Sequence, residues 1–281
     1  MSPMQREARS QLEVHLAQSL MGRVGLDVWT RKETGLVLPD RDSCTHCDAV
    51  AENAREIATT HAAVTFTPYD LDAHSDRAEE AGVERAPTTV IRGGGRSLRF
   101  VGLWSGGLFG SMVDVMVLLG NGQQLLTPES HEALGALPRP VDVELAVTPF
   151  DPLSPQMALL LGAIAAETRS VRVTITEYAE FPKLALTRSL TQVPTIWIDD
   201  QRFEGMWSEA ELVEQISRVA QDDTEAVIRE RIVAMPYVSE EQAGQLAQQM
   251  EAQRGGAAGA GIGGPPAPPP STSGLFVPGR D

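Results

Sequence analysis

Two thiols stand three residues apart in this chain, in the run Cys44-Thr45-His46-Cys47, and they are its only cysteines. The first turn of a helix leaves backbone N–H groups unpaired, and its dipole favours an anion. A Cys-x-x-Cys that opens a helix therefore has a first thiol whose pKa falls, making a thiolate available near neutral pH. The three-residue step puts the second sulfur on the same side, close enough to resolve a mixed disulfide. On this reading Cys44 is the nucleophile and Cys47 the resolving thiol. His46 is the tuning residue, because an imidazolium stabilises a thiolate and a lower thiol pKa makes the pair more oxidising. Asp42 and Asp48 act in the opposite direction. Two other readings are open, half of a zinc site or an inert buried pair. Zinc finds little support, since the five histidines offer no pair at ligand spacing. No metal is expected, and no cofactor beyond the redox-active Cys44–Cys47 disulfide.

Ala86-Pro87-Thr88 is the second candidate element. Cis peptide bonds are almost confined to X-Pro, and a cis-proline facing the dithiol would exclude metal ligands and offer the Ala86 backbone to an extended substrate. The alternative is an ordinary trans proline at a strand start.

The elements that must hold these groups follow from apolar spacing. A helix is expected over about Pro3–Met21 (Leu12, Leu16, Leu20) and a strand over Val24–Thr30. A short strand is expected at Leu36-Val37-Leu38 and a helix from Cys47 to about Thr60. Then come a strand at Val64–Leu71 and a helix at Ser75–Ala81. A hairpin (Thr88–Ile91, Leu98–Val101) turns at Gly93-Gly94-Gly95, and a buried helix follows at Gly107–Leu119. The same order recurs: strand Val141–Thr148, helix Ser154–Glu167, strand Val171–Tyr178, helix Phe181–Leu190, hairpin Thr195–Asp199 and Arg202–Glu204, helix Ser208–Val219.

Spacing supports a true repeat. Cys47 to Pro87 and Ser154 to Pro194 are both 40 positions, and Cys47 to Val64 and Ser154 to Val171 are both 17. Phe100-Val-Gly102-Leu-Trp104-Ser105 is echoed by Phe203-Glu-Gly205-Met-Trp207-Ser208. Where the second copy should carry its dithiol it has Asp151-Pro152-Leu153-Ser154. Ser154 cannot form a disulfide and Asp151 cannot act as the nucleophile. The second site, with Pro194 opposite, is read as degenerate, still able to bind an extended peptide or pack against its twin.

The fold class expected is α/β, with two tandem units, each a mixed central sheet flanked by helices. The expected divisions are residues 1–122 (with the dithiol), 123–220 (without it), a helical extension at 221–253 and a Gly/Ala/Pro-rich tail at 254–281. Within the extension, Asp222–Met235 and Ser239–Gln253 read as helices. The tail has almost no large apolar side chains beyond Leu275-Phe276-Val277, and such composition reads as disordered.

A net charge of −15 with no basic stripe argues against nucleic acid or an anionic membrane as partner. The N-terminal eighteen residues mix charges with apolar groups, so no signal peptide is expected. No run approaches a membrane span. A cytoplasmic location is expected, where a disulfide is transient and catalytic.

The residues that carry the repeat also carry a resemblance over roughly Arg9–Val219. They are Cys44-Thr45-His46-Cys47, Tyr69-Asp70-Leu71-Asp72, Arg85-Ala86-Pro87-Thr88, Phe100-Val-Gly102 before Gly106-Gly107, Val147-Thr148-Pro149 and Val193-Pro194-Thr195. The chain resembles the protein disulfide oxidoreductase (glutaredoxin-like) family of two fused thioredoxin folds. It is also similar to the N-terminal domain of the flavoprotein subunit of alkyl hydroperoxide reductase. The resemblance implies dithiol–disulfide exchange with protein thiols, or electron delivery to a peroxidase. Gly93-Gly94-Gly95 joins two strands and is no dinucleotide fingerprint, so a flavoprotein reductase would be a separate chain. Both units can carry the dithiol in the family; only the first does here. The segment from Lys32 to Arg41 before the cysteines is a second departure.

Overall fold

The computed structural model describes residues 6–32 and 44–259. The expected strand at Leu36-Val37-Leu38, Asp42 and the apolar island Leu275-Phe276-Val277 lie outside them.

Chain order is α1 (Arg6–Ser19), β1 (Val24–Thr30), α2 (Cys47–Thr60), β2 (Val64–Asp70), α3 (Ser75–Glu80), β3 (Thr88–Gly93), β4 (Arg96–Val101) and α4 (Gly107–Asn121). It continues with α5 (Pro128–Gly135), β5 (Val141–Val147), α6 (Ser154–Glu167), β6 (Val171–Glu177), a 3-10 turn (Tyr178–Glu180) and α7 (Pro182–Thr187). Then come β7 (Gln192–Val193), β8 (Thr195–Ile198), β9 (Gln201–Glu204), α8 (Glu209–Ala220), β10 (Met235–Pro236) and α9 (Glu240–Gly259).

The two halves of the repeat share one sheet. Strand order is β2-β1-β3-β4-β6-β5-β8-β9. Within each half a parallel pair (β1/β2, β5/β6) is flanked by an antiparallel hairpin. The halves join where β4 runs parallel to β6, with Phe100 opposite Ile175. Alternation along each strand sorts side chains between the faces. Leu26, Val28, Leu98, Phe100, Val173 and Ile175 belong to one continuous core with residues of α1, α2, α4, α6 and α8. Asp27, Trp29 and Arg99 take the alternate positions in these strands. On that second face, separate small clusters form around Trp29 with the cysteines and around Tyr178 with Trp197.

Helices α4 and α6 pack across the junction. Gly162 makes this approach close, since a Cβ there would lie 2.3 Å from Val115 Cγ2. Overpacking of this kind costs about 1–3 kcal/mol.

Four elements differ from the sequence reading. Helix α5 lies where apolar spacing predicts none, yet Thr127 caps it through Ser130 N–H and Pro128 stands in its first turn. Asp222–Met235 is not helical; its backbone is bound instead to the second unit, as described below. The stretch Phe181–Leu190 splits into the short α7 and a turn that closes through Leu190 N–H to Ala185 O, at 2.8 Å. Helix α9 runs on to Gly259, into the segment whose composition reads as disordered. None of the described helices is long and apolar enough to cross a membrane.

Candidate active site

Cys44 and Cys47 are joined by a disulfide, with Cα atoms 5.4 Å apart. Cys47 is the first residue of α2, and His46 takes the N-cap position without a side-chain capping bond. The positive end of the α2 dipole is thus left to the sulfurs. Both cysteines are nearly buried, at 7% and 5% exposure. The Arg31 N–H, just past the end of β1, donates to Cys47 Sγ at 3.1 Å. Trp29, Leu71, Ala78, Val83, Ala86 and Val90 complete the cluster, and Trp29 stacks on Tyr69 at 4.4 Å. The sequence-derived residues Cys44, Cys47 and Ala86 are therefore brought together. Ala86–Pro87 is cis, as is Val193–Pro194. Pro87 O accepts from Gly102 N–H at 2.9 Å, and the Thr88 hydroxyl donates to Arg85 O.

The second unit repeats this bonding. Pro194 O accepts from Gly205 N–H at 2.7 Å, and the Thr195 hydroxyl donates to Gln192 O. At its degenerate site the Ser154 hydroxyl donates to Asp151 Oδ2 at 2.6 Å, and Thr148 N–H donates to Ser154 Oγ at 3.3 Å. Both side chains are buried. The polar pair occupies the place of the disulfide down to the N–H that serves the second position.

Several charged groups near the dithiol carry no motif that would single them out in the sequence. Glu177 and Glu180 come from the second unit. Gly102, at φ 109, lies against them, and a Cβ there would meet Glu177 Cβ at 2.8 Å. Glu180 Oε1 accepts from Leu103 N–H at 2.6 Å, next to the strand end that bonds Pro87. Burial, then the Glu180 charge, pushes the Glu177 carboxyl up to about 9, and the two carboxyls are hydrogen-bonded to each other. Burial also raises Glu180, against the opposing influence of His46 and the Leu103 N–H. His46 Nε2 lies 3.1 Å from Glu240 Oε2. Asp27, two residues before Trp29 and pushed up by burial, is held by Arg92 at 2.6 Å. A charged residue inside the apolar run of β1 is the one legible signal among these.

Between α3 and α7 the open sheet face forms a groove of about 850 Å³. Three of its arginines are matched by carboxylates, Arg92 with Asp27, Arg172 with Asp142 and Arg188 with Glu144, while Arg99 donates to Thr174 Oγ1 and Arg169 to Gly95 O. Among the described residues no cluster of three or more His, Cys, Asp or Glu side chains is arranged to hold a metal.

This architecture has counterparts among solved structures. A protein disulfide oxidoreductase from Aeropyrum pernix superposes with a TM-score of 0.69 at 21% identity, over 81% of this chain and 97% of that one. A variant of the alkylhydroperoxide reductase AhpF from Enterococcus faecalis superposes at 0.67 and 20% identity, over 76% of this chain and 100% of that one. The NTD_N/C domain of the same reductase gives 0.66 at 21%, over 76% and 99%. The fold is two fused thioredoxin units. No family profile and no curated protein matches the sequence. Both thioredoxin units lie within one compact body, Met1–Glu240.

Proposed function

We propose that this protein is a dithiol–disulfide oxidoreductase that exchanges electrons with protein thiols and disulfides through Cys44 and Cys47. The observation that carries the reading is the Cys44–Cys47 disulfide at the opening of α2, in one cluster with Ala86. In the reducing direction the Cys44 thiolate attacks a substrate disulfide, forming a mixed disulfide and releasing one substrate thiolate. The Cys47 thiolate then attacks Cys44, releasing the second substrate thiol and closing the Cys44–Cys47 bond. Two electrons pass to the substrate, and the two thiol protons of the enzyme end on the two substrate thiols. The oxidising direction is the reverse. Ala86 and Pro87 are the proposed substrate-binding residues, and His46 the residue that tunes the thiols. The second unit, with Asp151 and Ser154, takes no part in the exchange.

The partners on this reading are protein thiols and a separate flavoprotein reductase, in the cytoplasm. A second reading, electron delivery to one peroxidase, is favoured by the likeness to the alkylhydroperoxide reductase AhpF. Reduction of insulin by the wild type, followed by turbidity, should fall at least about a thousandfold in Cys44→Ser, as expected when a nucleophile is removed. Equal rates would overturn the proposal. Cys47→Ser should trap mixed disulfides: one dominant peroxidase adduct selects the second reading, and many adducts the first.

A further inference from the structure

Beyond α8 the chain follows the second unit in an extended path, and its bonds are specific. Gln215, fully buried in α8, accepts from Val227 N–H at 2.7 Å and donates to Glu225 O at 3.3 Å. The Arg229 guanidinium lies 3.7 Å from the Trp207 ring centroid and donates to Met206 O and Glu204 O. Val233 O accepts from Met206 N–H. Strand β10 then pairs antiparallel with β7, Met235 opposite Val193 and Pro236 opposite Gln192. Tyr237 N–H donates to Thr191 O, and its hydroxyl donates to Tyr178 O at 3.0 Å.

The place of that pairing matters. Gln192-Val193 immediately precede Pro194, as Arg85-Ala86 precede Pro87. The backbone edge that the proposed function leaves to substrate in the first unit is occupied in the second by this chain's own segment. Strand addition of this kind takes its affinity from main-chain hydrogen bonds and its specificity from side-chain anchors; here Tyr237 is the anchor. Three residues later stands Glu240, whose carboxylate meets His46, the residue between the two cysteines.

We propose that β10 is a resident strand on the second unit's docking edge, and that it delivers Glu240 to His46 as a positioning residue that lowers the reduction potential of the Cys44/Cys47 pair. The inference rests on the dithiol chemistry proposed above. Its sign follows from charge. Glu180 also faces His46, with Glu177 behind it, and Asp48 lies in the first turn of α2. Glu240 adds a further anion. If His46 is neutral, the Glu240 charge disfavours a thiolate at Cys44 directly; if His46 is cationic, Glu240 cancels the charge that would stabilise it. With the protonation of His46 unchanged, removing the anion favours the reduced state in either case.

The test equilibrates the full chain with glutathione redox buffers and counts free thiols by alkylation and mass, which needs no catalytic assay. Glu240→Gln should shift the dithiol–disulfide equilibrium about three- to tenfold toward the dithiol, which is about 14–30 mV. Tyr237→Ala, which loosens the strand, should shift it in the same direction. The double variant should shift no further than Glu240→Gln alone, and Glu240→Asp should fall between wild type and Glu240→Gln. Unchanged equilibria in Glu240→Gln, or additive shifts in the double variant, would overturn the inference. An equilibrating wild type that fails to reduce insulin would instead count against the proposed function and leave this result readable.

Discussion

The two thioredoxin units have the same scaffold and opposite site chemistry. In the first, a covalent bond joins Cys44 to Cys47, and Arg31 N–H serves the second sulfur. In the second, a hydrogen bond joins Ser154 to Asp151, and Thr148 N–H serves the second oxygen. The loop geometry that holds a reactive pair therefore persists without the chemistry. Surroundings differ as well. The edge before Pro194 is filled by β10, whereas no strand pairs with the residues before Pro87 among the described ones. At the end of β6 Glu177 is buried and its carboxyl is pushed up by that burial; its repeat partner Asp70, at the end of β2, is half-exposed and caps the turn through Asp72 and Ala73 N–H groups. One unit carries the disulfide; the other holds a buried polar pair in its place.

The comparison breaks most decisively if the dead site can be revived. Asp151→Cys and Ser154→Cys are placed together in a Cys44→Ser background. The installed pair should exchange with insulin at about a hundredth of the wild-type rate or less, because thiolate exchange depends on access and β10 fills the edge beside it. A rate near wild type would show that the second unit lacks only its sulfurs.

Smaller, and dependent on pH, is the contribution of Glu177. Its folded pKa of about 9 lies above the unfolded value of 4.5. Below about pH 4.5 the group is protonated in both states. From there to about pH 9 the unfolded chain gives up its proton while the folded one keeps it, so stability falls as pH rises. Glu177→Gln removes this dependence. In urea unfolding the variant should gain on wild type as pH rises from 5 to 9, by up to about 5 kcal/mol. Parallel pH profiles for the two proteins would exclude a buried neutral Glu177.

The smallest effect concerns the polar pair itself. Ser154→Ala leaves Asp151 and the Thr148 N–H without their buried partner, at a cost of about 1–3 kcal/mol. Insulin reduction should not change. Loss of activity at unchanged stability would mean that the second site still takes part in exchange.

Much of this is readable in the residues. The repeat is legible because equal spacings of 40 and 17 positions and the Phe-x-Gly-x-Trp-Ser signature are periodic facts of the chain, and periodicity survives folding. The second helix of each unit reads at its observed bounds, Cys47–Thr60 and Ser154–Glu167, because its apolar face and flanking strands are local patterns. Helix α5 escapes such a reading although Thr127-Pro128 carries a capping signal, because its apolar pattern is short. The segment Asp222–Met235 misleads because its apolar residues suit a helix face, yet Arg229 finds Trp207 and Gln215 finds the backbone of residues 225 and 227.

By itself the sequence determined that there is one Cys-x-x-Cys, that it opens a helix, and that its twin position holds Asp151 and Ser154. Those are matters of residue type and spacing along the chain. The tertiary structure alone decided that the two halves share a sheet through β4 and β6, that Glu180 of one unit faces His46 of the other, and that Glu240 closes on the same imidazole. These contacts join residues far apart in the chain, and the burial that shifts Glu177 exists only once the second unit has packed against the first.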